Sequence, residues 1–238
     1  MFDVLDSHEE LLKGAWITIQ LTVGGSLLAL VLAVLFGMAG VSSSRWVRGL
    51  NRVYVEFFRG TATLVLLYWF FYALPLVGFK FAPMFTAIMA LGLNVGAYGA
   101  EVVRGAIISV PKAQYEATIA LNLTPTQRMI RVILPQAVSL MLPPFGNLLI
   151  ELMKGTAVVS LITIGDLTFR GKEIQQSTGE TAWTFFWILV FYFVIAQVLQ
   201  LFVRFAERRV DRMLGRRPSR DTSLATVSAS AAGTGVGG

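Results

Sequence analysis

The sequence predicts an all-α, polytopic membrane protein with five transmembrane helices, its N-terminus outside and its C-terminus inside. Three observations carry that expectation. Of 238 residues, 55% are hydrophobic and only 14% charged, about half the charge that covers a soluble domain. Four uncharged runs reach the length of about 20 residues that a crossing helix needs, and a fifth does so if one acid and one base are tolerated. Lysine and arginine collect in the connecting segments of one side, which marks that side as cytoplasmic.

The elements follow in chain order. Met1 to Asp6 is acidic where a secretory leader is basic, so residues 1–11 are read as an extracytoplasmic N-terminus and the first span as a retained anchor. Ala15–Ala39 carries no charge in 25 residues, Gly60–Phe79 and Phe81–Ala100 none in 20 each, and Thr181–Val203 none in 23. Ala137–Ile164 is interrupted by Glu151 and Lys154, and its uncharged pieces of 14 and 10 residues are each too short to cross alone. It reads as one broken span. With flanks included, the spans fall at about 15–39, 57–79, 81–103, 137–164 and 181–205, within a membrane domain over 12–209. Residues 210–238 turn Ser/Thr/Ala/Gly-rich after their arginines and read as a disordered cytoplasmic tail.

Fourteen of the 20 Lys and Arg residues lie in segments of one side, around Arg45–Arg52, Arg104–Arg131 and Arg204–Arg220; only Lys13, Lys80, Arg170 and Lys172 lie on the other. The net charge of +6 therefore reads as topology and contact with the lipid bilayer, not nucleic-acid binding. The absence of cysteine and the single histidine, His8, exclude disulfides, thiol catalysis and histidine-paired metal sites. No GxxxxGK[ST] segment is present, so this chain has no P-loop for ATP, and no Gly-x-Ser-x-Gly marks a hydrolase. It is read as a non-enzyme that binds no cofactor.

One connection is long and patterned, residues 104–136. Pro111 is expected to end the third helix or to start a new one, and Tyr115, Ile119 and Leu123 then recur at four-residue steps. Thr124 and Pro125 supply an N-cap and a first helical residue. A second amphipathic helix follows and is expected to stop near Leu134-Pro135. Two short helices meeting at a turn form a shape another protein can grip.

Three acid–base pairs stand at i, i+3 spacing, where helical side chains are neighbours. Glu56/Arg59 and Glu101/Arg104 lie beside spans and suit either interface anchoring or a cytoplasmic gate. Glu151/Lys154 lies within a span, where each charge costs about 2.5–3.5 kcal/mol on insertion scales. The pair is either self-neutralising structure or, with Gly155 and Thr156 as an unwound point, a substrate pathway offering both charge signs to a zwitterion. Gly92, Gly96 and Ala100 form a small-residue stripe for close helix packing.

Glu116-Ala117-Thr118, Asn122 and Val132-x-Leu134-Pro135 resemble the "EAA" loop of importer-type ABC permeases. The flanks resemble the polar amino acid branch of that family: Tyr54 to Thr61, Ala97 to Glu101, Leu142-Pro143-Pro144, Lys154-Gly155-Thr156 and Gly165-Asp166-Leu167. Some details are similar to ectoine and hydroxyectoine permeases. The resemblance covers about Leu11 to Arg209 and implies a type I ABC importer permease fold. It implies that Glu116, Ala117, Thr118, Asn122, Leu134 and Pro135 couple to an ATPase. It further implies a second permease subunit, identical or related, two ATP-binding subunits carrying ATP and Mg, and an extracytoplasmic solute-binding protein. The expected cargo is a polar amino acid or a zwitterionic compatible solute of the ectoine kind. Two departures stand out: Asn122 replaces the usual Gly, and Ala62 the usual Pro, which is expected to straighten the start of the second span. The competing reading is a small secondary transporter or channel that needs no ATP.

Overall fold

The computed structural model describes residues 8–213, and no strand occurs among them. The acidic start at Met1 to Asp6 and most of the tail assigned to 210–238 lie outside the described residues. Helix α1 is His8–Gly40, α2 is Arg45–Gly60 and α3 is Thr63–Tyr68; α3 continues through a π turn, Trp69–Ala73, and a 3-10 turn, Leu74–Val77. Helix α4 is Pro83–Ile108, α5 Lys112–Ala120 and α6 Pro125–Arg128. A π turn at Met129–Ile133 joins α6 to α7, Leu134–Gly155, which passes into a 3-10 segment, Thr156–Ile162. Helices α8, Leu167–Thr178, and α9, Thr181–Met213, complete the chain. Four helices are long and apolar enough to cross a membrane, and a fifth span is made if the bent pair Arg45–Gly60 and Thr63–Val77 counts as one.

The centre of the fold is the close approach of α1 to α4, and small residues cause it. A Cβ on Gly92 would lie 2.7 Å from Leu28 Cδ2, and one on Gly96 would lie 3.0 Å from Leu32 Cβ. Ala100, one turn further, is buried. In lipid no hydrophobic force draws helices together, so backbone proximity and dispersion hold this pair. Leu21, Leu91, Leu152 and Ile162 fill the core between α1, α4, α7 and the 3-10 segment. A second cluster of Val103, Ile107, Ile133 and Ala137 packs the end that carries the loop helices. Helix α9, by contrast, buries only Thr184 and Ile188.

Three expectations are overturned. The second span does not start straight: α2 and the segment after it meet at 99°. Thr61 and Ala62 are extended, with ψ of 133° and 136°, and α4 stabilises the break. Asn94 Nδ2 donates to the Phe58 and Thr61 carbonyls at 2.7 and 3.1 Å, and Thr63 Oγ1 donates to Asn94 Oδ1 at 3.0 Å. The amide thus satisfies carbonyls that a helix end leaves unpaired. Nor does the loop's second helix stop at Leu134-Pro135. Pro135 sits in the first turn of α7, and Pro125–Ile162 is one helix of 38 residues. The π turn lets Leu134 N–H reach the Met129 carbonyl five residues back, which accommodates the register around the proline. Finally, Gly155-Thr156 is not unwound: the helix tightens there to 3-10 geometry, and Thr156 is fully buried with its hydroxyl on the Met153 carbonyl at 2.7 Å.

Candidate functional site

The loop helices form a hairpin whose turn is held by local chemistry. Asn122 adopts φ +53°, the left-handed conformation that asparagine tolerates better than other side chains. This lets Leu123 N–H reach back to the Thr118 carbonyl at 3.1 Å. Thr124 then caps α6: its hydroxyl accepts from Gln127 N–H, while Gln127 Oε1 accepts from Thr124 N–H at 3.1 Å. Arg128 lies over the Tyr115 ring at 5.1 Å, and Gln136 bonds Gln114 at 3.4 Å, tying the two legs together.

The six residues expected to couple, Glu116, Ala117, Thr118, Asn122, Leu134 and Pro135, divide by position. Glu116, Ala117 and Asn122 are exposed, and Glu116 meets only Lys112, 3.5 Å away on the surface. Ile119 and Leu121 beside them are bare apolar groups, 54% and 71% exposed. Thr118 is buried, its hydroxyl donating to the Tyr115 carbonyl at 2.6 Å. Leu134 and Pro135 are half-buried at the base of the hairpin. The first group presents a surface and the second holds it.

Glu151 and Lys154 are brought to one groove of about 660 Å³ between α7 and α9, together with Asn147, Tyr192, Gln197 and Gln200. Both charges are exposed, and they make no ion pair with each other. The self-neutralising arrangement is therefore absent. Gly155 is half-buried one residue on, and Thr156 faces inward.

Of the remaining acid–base pairs, Glu101 and Arg104 bond as expected, at 2.7 Å with a second contact at 3.1 Å. Glu56 and Arg59 do not pair. Glu56 meets Arg52 at 3.6 Å, and Arg59 lies over the Tyr98 ring at 5.2 Å while its carbonyl accepts from Tyr98 OH. Arg59 and Glu101 line the same groove between α2 and α4.

Two positions carry structure that the motif reading missed. Asn94 is the hinge clamp described above. Asp166, fully buried and outside the candidate spans, caps α8 by accepting from Thr168 and Phe169 N–H at 3.2 and 3.0 Å. Tyr192 of α9 points its hydroxyl at the same carboxylate from 3.5 Å, and Leu167 N–H donates to Thr18 of α1 at 3.2 Å. Burial pushes the Asp166 carboxyl up to about 6, against the lowering effect of those donors. An isolated Asp before a helical pattern is the available signal for such a cap.

The profile of the binding-protein-dependent transport system inner membrane component matches residues 25–212, most of the chain. The chain belongs to that family. A relative from Sinorhizobium fredii, a probable amino-acid ABC transporter permease protein, is 43% identical over 211 residues, covering 86% of this chain and 89% of its own length. The L-cystine transport system permease protein TcyB of Bacillus subtilis is 35% identical, covering 85% and 87%. A crystal structure of an amino acid ABC transporter with histidines superposes at a TM-score of 0.81 with 29% identity, covering 86% of this chain and 96% of that one. This protein is thus a multi-pass permease subunit of an amino-acid ABC importer, and its helices form the type I importer fold.

Proposed function

We propose that this permease carries a polar amino acid, or a related zwitterionic solute of the ectoine type, through a pathway completed by a second permease subunit, and that ATP hydrolysed by separate subunits drives it. The observation that carries the coupling half of this reading is the hairpin with an uncovered tip: Glu116, Ala117, Ile119 and Leu121 are exposed on a leg tied to the other by Arg128 over the Tyr115 ring and by Gln136 on Gln114. Apolar groups of this size on a projecting helix favour a protein groove over water. In this reading the hairpin faces the cytoplasm, the C-terminus lies inside, and a solute-binding protein delivers cargo on the opposite face.

The groove holding Glu151 and Lys154 supplies the cargo chemistry. A zwitterion's ammonium suits the carboxylate and its carboxylate the ammonium, and Asn147, Gln197 and Gln200 add neutral donors and acceptors. Glu101–Arg104, with Arg59 and Glu56 nearby, is suited to gate the inner end. Alternating access requires that the partner engage the hairpin differently in the two states, since equal binding shifts nothing.

Glu116→Arg tests the coupling. Solute-stimulated ATPase activity and uptake by the assembled importer in liposomes should both fall at least tenfold, with the complex still inserted. Unchanged coupling would remove the hairpin from this role. For the cargo site, Glu151→Gln and Lys154→Gln should each raise the half-saturating solute concentration, and an unchanged value in both would exclude the groove as the pathway.

A further inference from the structure

Helix α2 has three faces, and the gate proposed above takes only Glu56 and Arg59 from it. Trp46, Leu50, Val53 and Phe57 fall within about 60° of the helical circumference at about 100° per residue, and they are 90%, 69%, 67% and 58% exposed. A second face is packed: Tyr54 stacks on Phe36 of α1 at 3.8 Å and donates to the Leu93 carbonyl of α4 at 3.0 Å. On the third face Arg45, Arg48, Arg52 and Arg59 join Arg104 around a groove of about 600 Å³. Two carboxylates, Glu56 and Glu101, share that groove, so five guanidinium groups meet two acids.

The excess charge is located. Arg104 pairs with Glu101 and Arg52 with Glu56. Arg48 donates to the carbonyls of Ser42 and Ser43 at 2.6 and 2.9 Å, which orient its head without neutralising it. Arg45 has no carboxylate partner among the described residues. Asn51 is 6% exposed on the wall of the same groove, and its Oδ1 accepts no hydrogen bond. Unpaired guanidinium groups beside one open acceptor match a phosphodiester that carries a donor in its headgroup.

We propose that α2 lies along the plane of the membrane surface, its apolar stripe in the acyl region, and that the arginine groove holds the headgroup of an anionic phospholipid. The 99° bend is compatible with this placement, since α2 and the segment after it cannot both follow the bilayer normal. An apolar stripe on a helix whose other uncovered face is arginine-rich is the pattern of an interfacial helix. Charge complementarity selects an anionic lipid over a second protein chain, because the groove and the stripe together offer a headgroup and its acyl chains what each needs. The tested contacts, Arg45 and Arg48, lie outside the gate proposed above, although Glu56, Arg59, Glu101 and Arg104 of that gate line the same groove.

The chain has no native cysteine, so Leu50→Cys gives a unique label on an exposed residue. The assembled importer is placed in nanodiscs of phosphatidylcholine with or without phosphatidylglycerol. A fluorophore on the introduced thiol should be quenched by nitroxide-bearing lipid, and native mass spectrometry should show phosphatidylglycerol retained over phosphatidylcholine. Each basic residue at a membrane surface contributes about fivefold, so Arg45→Gln with Arg48→Gln should cut that preference about 25-fold. Arg45→Lys with Arg48→Lys should retain most of it, which separates charge from misfolding. The proposal is overturned if the Gln pair keeps the wild-type preference, or if inorganic phosphate displaces the lipid at equal concentration. It is equally overturned if the thiol of the Leu50→Cys variant is shielded from lipid nitroxide and cross-links to a second copy of the chain.

Discussion

Replacing Asn94 by Leu removes one side chain and three hydrogen bonds at the bend between α2 and α3. Leucine is close in size, so packing against α4's neighbours is largely kept. The Phe58 and Thr61 carbonyls lose their donor, and the Thr63 hydroxyl loses its acceptor. A buried group left without its partner costs about 1–3 kcal/mol. Thr63 can turn its hydroxyl elsewhere, so the two carbonyls dominate, and the expected loss is about 2–6 kcal/mol. Asn94→Asp separates the contributions, since it keeps an acceptor for Thr63 and loses both donors. Reversible unfolding in mixed micelles, followed by tryptophan fluorescence with unchanged steepness of the transition, reads the difference. Labels at Leu50→Cys and Leu76→Cys report the bend directly, and their distance distribution should broaden in the Leu variant. A stability within about 0.5 kcal/mol of the parent, with an unaltered distance, would falsify the clamp.

Gly37→Ala should destabilise by about 1–3 kcal/mol, because its Cβ would lie 2.5 Å from Val103 Cβ and 2.8 Å from the Ala100 carbonyl. Gly105→Ala, with open space around the site, should instead stabilise by up to about 1 kcal/mol; equal effects in the same unfolding assay would refute the packing account. Asp166 has a folded pKa of about 6, raised from 3.8 by burial, so the folded state holds its proton more tightly than the unfolded one. Stability from this group is therefore greatest below about pH 4 and declines as pH rises to about 6. Asp166→Asn should flatten that slope and be relatively more stable at pH 7, whereas parallel pH profiles for the two proteins would contradict it. Thr124→Ala should cost about 1 kcal/mol in the hairpin, seen as faster amide exchange at residues 126–128 with exchange in α4 unchanged; protection equal to the parent's would count against the capping box.

Much of this architecture is legible in residue types. The uncharged runs mark helices that cross, because lipid admits few alternatives to a fully hydrogen-bonded backbone. The Gly92, Gly96 and Ala100 stripe marks a close helix contact, and Thr124-Pro125 marks a cap that does form. Counting charges alone conceals the bend, since Gly60 to Phe79 is uncharged throughout and Asn94, the residue that permits the break, is polar but neutral and distant in sequence. Pro135 reads as a stop because a proline lacks its N–H, yet a five-residue backbone bond at Met129 lets the helix continue. For the site, the exposed part of the hairpin follows from its amphipathic spacing. The separation of Glu151 from Lys154 does not, because spacing places two side chains on one face without fixing where their heads turn.

The continuity of Pro125–Ile162 has a mechanical consequence. With no flexible connector between the hairpin and the buried half of the helix, Thr126 and Glu151 are ends of one lever about 37 Å long at about 1.5 Å per residue. Pivoting that rod by about 5° about one end swings the other by about 3 Å, on the scale of a hydrogen bond. In the mechanism proposed above, a push at the tip would reach the groove as a rotation of this helix, without any element having to melt and refold.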